Sequence, residues 1–263
     1  MITMMPFIPR DNPTPCHSYI IELQGVINVN SLYHPIFDSK KVIIFDIDGT
    51  LVDVMDIHTQ AYIDTIREIS GVEVESFTNI TKHYGIQNQE TFRRVLADYH
   101  HMFTAEEIGK MVDLRGKKMA ESTAISPANV LGGAIHLIDG LVRDGKIIAT
   151  ITGNSRLVGE AVLQKSGLST RFSVQVFGDD SREGKPLKGR HEMIALALEK
   201  IEQSTQKKIP LSQILVVGDM VPDIQGAQKA GVDSLAVATG GVPLNVLLTE
   251  KPTYGIHSFN ELE

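Results

Sequence analysis

From Lys41 onward, short runs of consecutive apolar residues alternate with stretches in which apolar residues recur at helical spacing. "VIIF" (Val42 to Phe45) is apolar throughout and rich in β-branched side chains, the pattern of a strand buried on both faces. "KIIATIT" (Lys146 to Thr152), "SVQVF" (Ser173 to Phe177), "QILVVGD" (Gln213 to Asp219) and "SLAVAT" (Ser234 to Thr239) repeat it. Between them, "SRLVGEAVLQKSG" places Leu157, Val158, Ala161 and Val162 on one helical face, with Gly167 as a C-terminal stop. "RHEMIALALEKIEQ" (Arg190 to Gln203) and "PDIQGAQKAG" (Pro222 to Gly231) read the same way. Strands alternating with helices predict βαβ units, right-handed crossovers and an α/β fold with a doubly wound parallel sheet.

The interval 54–129 breaks this rhythm. "MDIHTQAYIDTIREISG", "NQETFRRVLADYHH" and "TAEEIGKMVDLRGKKMAEST" are helical patterns with no apolar β run between them. They predict an all-helical subdomain inserted into the α/β domain, which then comprises residues 41–53 and 130–263, with links near Asp53 and Ser126-Pro127. Residues 1–40 carry Pro6, Pro9, Pro13 and Pro15, followed by "YIIELQGVINV" (Tyr19 to Val29), a strand or hairpin. We read them as an extension lying on the α/β domain.

Composition narrows the function. The chain has 263 residues, 42% hydrophobic and 22% charged, with a formal net charge of −7. That balance argues against a nucleic-acid partner or an anionic membrane surface, both of which favour basic patches. It leaves room for a small anionic ligand bound by a local cation and helix N-termini. No apolar run approaches the roughly 20 residues of a membrane span, and the N-terminus lacks the charge and apolar pattern of a signal peptide. Cys16 is the single cysteine, so no internal disulfide forms, which fits a cytoplasmic protein.

The chemistry lies where the predicted strands end. In a parallel sheet with helical crossovers, ligands bind beyond the C-terminal strand ends. The first strand ends in Asp46, Asp48, Gly49 and Thr50; the second in Thr152, Gly153 and Asn154; the fourth in Asp219, with Asp223 a helical turn on. Lys185 follows the third. Crowded carboxylates repel one another, and a divalent cation with hard oxygen ligands relieves that. The pattern points to Mg²⁺ held by Asp46, Asp219 and the Asp48 backbone carbonyl, with Asp223 binding through water or capping its own helix. Thr152 and the N–H groups of Gly153 and Asn154 would cradle a phosphate, and Lys185 would balance both Asp46 and a phosphoryl group. Two aspartates at i and i+2 in an extended segment face one side, so one can attack phosphorus while the other handles the proton. Gly49 permits the tight turn that follows.

These residues resemble the haloacid dehalogenase superfamily, in its phosphotransferase branch. "DIDGTLVD" resembles the first family motif, which implies that Asp46 is the nucleophile and Asp48 the general acid/base. "IIATITGN" resembles the second, which gives Thr152 the phosphate, and "LVVGDMVPD" the fourth, which gives Asp219 and Asp223 the metal. "GKPLKGR" resembles the third with Lys185 as its cation; it lacks the commoner second proline, and Lys188 competes for the role. The helical insert sits where phosphoglycolate phosphatase-like and β-phosphoglucomutase-like members carry a cap that closes over the site and contacts the rest of the substrate. The hinge from Asp46 to Ile57 and the loop from Lys82 to Gln89 would then set specificity, and Asn154 and His58 would contact phosphate or substrate.

Several residues carry a plainer alternative. Asp53 is a helix N-cap or a site residue, and His58 a site residue or a half-buried helix histidine. His83 and Tyr84 line the cap loop or only pack. His100-His101 reads as a helix end, Gly240-Gly241 as a turn after the last core strand, and Cys16 as inert. The resulting expectation is an Mg²⁺-dependent phosphatase acting on a small phosphorylated metabolite, phosphoglycolate-like or a sugar phosphate, through an aspartyl-phosphate. A sugar phosphomutase is the alternative. A catalytically silent binding protein fits the full acid, base and metal set poorly, and dehalogenation leaves Asp48 without a task. Neither monomer nor homodimer is favoured.

Overall fold

The computed structural model describes residues 35–83, 88–125 and 128–262, with the backbone alone at 124–125. Most of the expected N-terminal extension, including Tyr19 to Val29 and Cys16, therefore lies outside the described residues, as do Tyr84 and the Ser126-Pro127 link.

In chain order the elements are β1 (Val42–Phe45), β2 (Val52–Asp53), α1 (Met55–Ser70), α2 (Thr78–Thr81), α3 (Asn88–Asp98), α4 (Ala105–Ile125), β3 (Asn129–Val130), α5 (Ala134–Arg143), β4 (Ile147–Ile151) and α6 (Arg156–Lys165). Then come β5 (Val174–Val176), β6 (Ser181–Arg182), β7 (Lys185–Pro186), α7 (Arg190–Thr205), β8 (Ile214–Gly218), α8 (Val221–Ala230), β9 (Asp233–Val237), α9 (Leu244–Leu247) and β10 (Tyr254–Ile256). The main sheet runs β10-β9-β8-β1-β4-β5 and every pairing in it is parallel. β1 lies inside it, with Val42 in register with Ile147 on one side and Ile214 on the other.

Alternation along β1 explains why its run is wholly apolar. Ile43 and Phe45 face one layer, with Leu141 of α5 and Val158 and Val162 of α6. Val42 and Ile44 face the other, with Ile194, Ala197 and Ile201 of α7 and Ala227 of α8. Both faces are covered by helices, so neither can be polar. Pro35–Phe37 forms a 3₁₀ turn that buries Ile36 and Phe37 in the first layer.

Helices α1 to α4 share an apolar cluster of their own, built around Tyr62, Ile66, Phe92, Leu96 and Met111. The chain leaves for them along β2 and returns along β3. These short strands pair antiparallel, Val52 with Val130 and Asp53 with Asn129, so the two links stand side by side. Asp53 is exposed, and the N-cap of α1 is Val54 with no side-chain hydrogen bond. The expected capping role of Asp53 is therefore corrected: its carboxylate lies outside the helix start as well as outside the cavity described below.

Candidate active site

A cavity of about 790 Å³ opens at the C-terminal ends of β1, β4 and β8, walled on its far side by α1, α3 and α4. The position follows from topology: three neighbouring strands deliver their terminal polar residues to one place.

β1 delivers Asp46, whose backbone N–H still belongs to the sheet, donating to Val217 O at 2.9 Å. The chain then turns sharply. Leu51 and Val52 both donate backbone N–H bonds to Ile47 O, and Gly49 takes a left-handed φ of 83°. A Cβ on Gly49 would run into the Asp219 carboxylate and the Gly240 backbone, so glycine is required there for space as well as for φ. The turn presents the Thr50 hydroxyl, which donates to Asp219 Oδ1 at 2.6 Å.

Asp46, Asp219 and Asp223 form a buried cluster, with one oxygen from each lying within 4.8 Å of the others. Asp219 Oδ2 is buried with no hydrogen-bond partner among the described residues. Burial pushes the Asp219 pKa up to about 7, with Asp223 adding to it and Thr50 opposing. Burial likewise raises Asp46 well above the ordinary carboxylate range, against the opposing pull of Arg190, and raises Asp223 in the same way. A buried carboxylate oxygen without a partner, in a set of hard oxygen donors, fits a divalent cation such as Mg²⁺. Among the described residues no other group of this kind is found.

The cation already present is Arg190. Its Nη2 lies 2.8 Å from Asp46 Oδ1 and its Nε 2.6 Å from Asp223 Oδ1, while Nη1 is buried with no hydrogen-bond partner among the described residues. This corrects the expectation for Lys185. The β6–β7 hairpin, turned by Glu183 and Gly184 in left-handed conformations, carries Lys185 to the surface, paired across the hairpin with Arg182. Lys188 is exposed as well, and neither lysine lines the cavity. Arg190 reaches the cluster because it opens α7, whose first turn lies at the strand ends. A cation in the first turn of a helix opposes the helix dipole, and that unfavourable placement is the signal by which the sequence could have marked it.

Asp48 lies apart from the acidic cluster, half-buried under three donors. His58 Nε2 is 3.1 Å from Oδ1, and Thr152 Oγ1 and Asn154 Nδ2 donate to Oδ2 at 2.9 Å each. Burial acts to raise its pKa, but His58, Thr152 and Arg115 outweigh that and hold it below the ordinary value. The His58 tautomer follows from its other side. Arg115 Nη2, always a donor, approaches Nδ1 at 2.5 Å, so Nδ1 accepts and Nε2–H donates to Asp48. Burial holds the His58 pKa below its usual value, in keeping with a neutral ring. The structure thus brings together Asp46, Asp48, His58, Thr152, Gly153, Asn154, Asp219 and Asp223, with Gly153 lining the cavity through its backbone.

His83 is elsewhere, paired with Asp98 at 2.6 Å, and His100 ends α3 in a left-handed turn. Gly240 does sit in a turn after β9, but it also packs against Asp219 so closely that any Cβ would overlap the carboxylate. Arg115, Arg190 and this part played by Gly240 were not evident from the sequence.

The family model described as haloacid dehalogenase-like hydrolase matches residues 40–231. The putative pyrophosphatase PpaX of Caldanaerobacter subterraneus subsp. tengcongensis is 25% identical over 222 residues, covering 84% of this chain and 91% of its own. The phosphoglycolate phosphatase of Aquifex aeolicus is 26% identical over 205 residues, covering 78% of this chain and 88% of its own. Among solved structures, a predicted phosphoglycolate phosphatase from Haemophilus somnus superposes with a TM-score of 0.70 at 18% identity, covering 85% of this chain and 96% of its own.

Proposed function

The chain belongs to the haloacid dehalogenase-like hydrolases and is a phosphatase of that family, and on that premise we propose that it hydrolyses a small phosphorylated metabolite with Mg²⁺ through an aspartyl-phosphate on Asp46. The observation that carries the proposal is the division of labour among carboxylates: Asp46, Asp219 and Asp223 cluster around Arg190, while Asp48 stands apart under His58.

Asp46, Asp219 and the Asp48 backbone carbonyl would hold Mg²⁺, with Asp223 beside it, and the ion would neutralise charge on the transferring phosphoryl group. Arg190 holds Asp46 by one nitrogen and leaves Nη1 for a phosphoryl oxygen. Thr152 and the backbone N–H of Gly153 receive the other oxygens; the Asn154 N–H, which donates to Thr152 Oγ1 at 3.1 Å, is freed to join them when the Thr152 hydroxyl turns from Asp48 to the phosphate as substrate enters. Losing that donor and gaining a dianion beside it raises the Asp48 pKa, so Asp48 takes a proton and passes it to the leaving oxygen. Asp46 attacks phosphorus in line. Asp48, now a base, deprotonates the water that hydrolyses the aspartyl-phosphate. His58, donating to Asp48 from α1, ties this acid/base to the helical subdomain, which acts as a cap excluding bulk water.

The substrate is phosphoglycolate-like or a sugar phosphate, and the dephosphorylated hydroxy acid or sugar leaves. Phosphate release from a panel of phosphorylated metabolites, with Mg²⁺ and with EDTA, tests the proposal. We expect Mg²⁺-dependent release that Asp46→Asn abolishes while its thermal unfolding stays cooperative. Full activity in Asp46→Asn would remove the covalent mechanism. Isomerised product that forms only with a bisphosphate primer would move the assignment to a phosphomutase.

A further inference from the structure

The cavity wall contains a guanidinium that no carboxylate contacts among the described residues. Arg115, in α4, is only 3% exposed. Its guanidinium lies 4.3 Å over the Tyr62 ring, and its hydrogen bond to His58 is to a neutral acceptor. Its Nε is buried with no hydrogen-bond partner among the described residues. The nearest carboxylate in that direction, Asp48, lies beyond the imidazole. Glu90, which also lines the cavity, is paired with Arg94 at 3.0 Å.

A buried cation held off from its nearest carboxylate by a neutral ring is incompletely compensated, and the cost is relieved when an anion is brought directly to it. Resting on the phosphatase reading above, we propose that the anion belongs to the substrate: the leaving group carries a carboxylate or a second phosphoryl group, and Arg115 reads it. The location fits that role. Arg190 and the acidic cluster take the side of the site where phosphorus is attacked. Arg115 stands on the other side, one imidazole ring from Asp48, the group that meets the leaving oxygen. A second anion there lies a few bonds from the ester oxygen, so the leaving group is short. The guanidinium is also held ready. Tyr62 stacks against it and is itself fixed by a 2.7 Å hydrogen bond to Asn88 Oδ1. A planar donor fork fixed in advance suits a carboxylate or phosphate better than a hydroxyl.

Matched pairs of phosphomonoesters, assayed with Mg²⁺, test the proposal: a short phosphorylated hydroxy acid against its primary amide, and a polyol bisphosphate against the monophosphate of the same polyol. We expect the anionic member of one pair to show a kcat/KM at least about 30-fold above its neutral partner. The pair in which the gap appears tells carboxylate from phosphate. Arg115→Met should bring that ratio close to one, and Arg115→Lys should keep part of it. Equal kcat/KM within both pairs for the wild-type protein overturns the proposal and leaves the phosphatase reading standing. An Arg115→Met protein that slows both members alike also overturns it, because that is the signature of a residue that only orients His58. No phosphate release from any compound, 4-nitrophenyl phosphate included, overturns the phosphatase reading itself. If Arg115→Met does not fold, the wild-type ratio decides.

Discussion

Replacing Arg190 with alanine should cost both stability and turnover, whereas replacing Lys185 with alanine should cost neither. The Arg190 side chain is 14% exposed and its partners Asp46 and Asp223 are 4% and 2% exposed, so solvent screens these ion pairs weakly. Removing one partner of a buried pair costs about 3–5 kcal/mol, because the other charge is left behind. Here the carboxylates can take up a proton instead, since burial already raises both pKa values, which favours the lower end of that range. A loss of about 3 kcal/mol, at about 2–4 °C per kcal/mol for a chain of this size, lowers the melting temperature by about 6–12 °C. The same substitution removes a cation from the transferring phosphoryl group and should lower kcat by about 10²–10³. Lys185 is exposed in a surface hairpin, so Lys185→Ala should stay within about 0.5 kcal/mol of wild type, with unchanged kinetics. Thermal unfolding in EDTA isolates the ion pairs from any bound metal, and steady-state phosphate release reads the chemistry. If Arg190→Ala unfolds with wild-type, or if Lys185→Ala is the variant that loses turnover, the assignment of the cation is wrong.

Metal binding should carry a pH signature. The folded pKa of Asp219, about 7, lies above its unfolded value of about 4, so the metal-free folded protein binds more protons than the unfolded chain between those values. The contribution of this group to metal-free stability therefore falls as pH rises through that window, and a cation that displaces the proton restores it. Mg²⁺ should raise the melting temperature more at about pH 8 than at about pH 5.5 and release protons into weak buffer; equal shifts at both would contradict the cluster's role. Gly240→Ala should weaken Mg²⁺ affinity about 10–100-fold, because its methyl would occupy the space of the Asp219 carboxylate. Calorimetric titration with Mg²⁺ checks this, and wild-type affinity would show that the turn yields.

The core strands were legible because burial on both faces forces continuous apolar runs: Val42–Phe45 coincides with β1, and Ile147–Ile151 and Ile214–Gly218 fall inside the expected segments. β10 was not, because three residues reading Tyr-Gly-Ile carry no run and no alternation. α5 went unread for a different reason. It follows a glycine pair and shares its apolar residues with both strand and helix patterns, so period alone does not separate them. Within the site, Asp46, Asp48, Thr152 and Asp219 announced themselves by standing at strand ends, where the polar residue is the departure from the pattern. Lys185 misled because a lysine followed by proline in a loop looks like a motif, while the hairpin geometry that turns it outward depends on Glu183 and Gly184 adopting left-handed φ. Arg115 sits among other charged residues of a long helix, and only the packing of α4 against α1 tells which of them is buried.

The place of β1 in the sheet also sets when the protein can acquire its reactive centre. β1 is made early, yet its hydrogen-bonding partners are β4 and β8, and the register that brings Asp46 beside Asp219 needs Val217 to be present. A chain emerging from the ribosome carries the apolar Val42–Phe45 edge unpaired on its β8 side until most of the polypeptide has been synthesised. Through that interval the segment is a template for wrong pairing, and closing such a long loop slows folding. Asp46 therefore joins Asp219 and Asp223 only once β8 has paired with β1. Truncations ending before Ile214 should accumulate as aggregates, with β1 among the segments protected from exchange inside them.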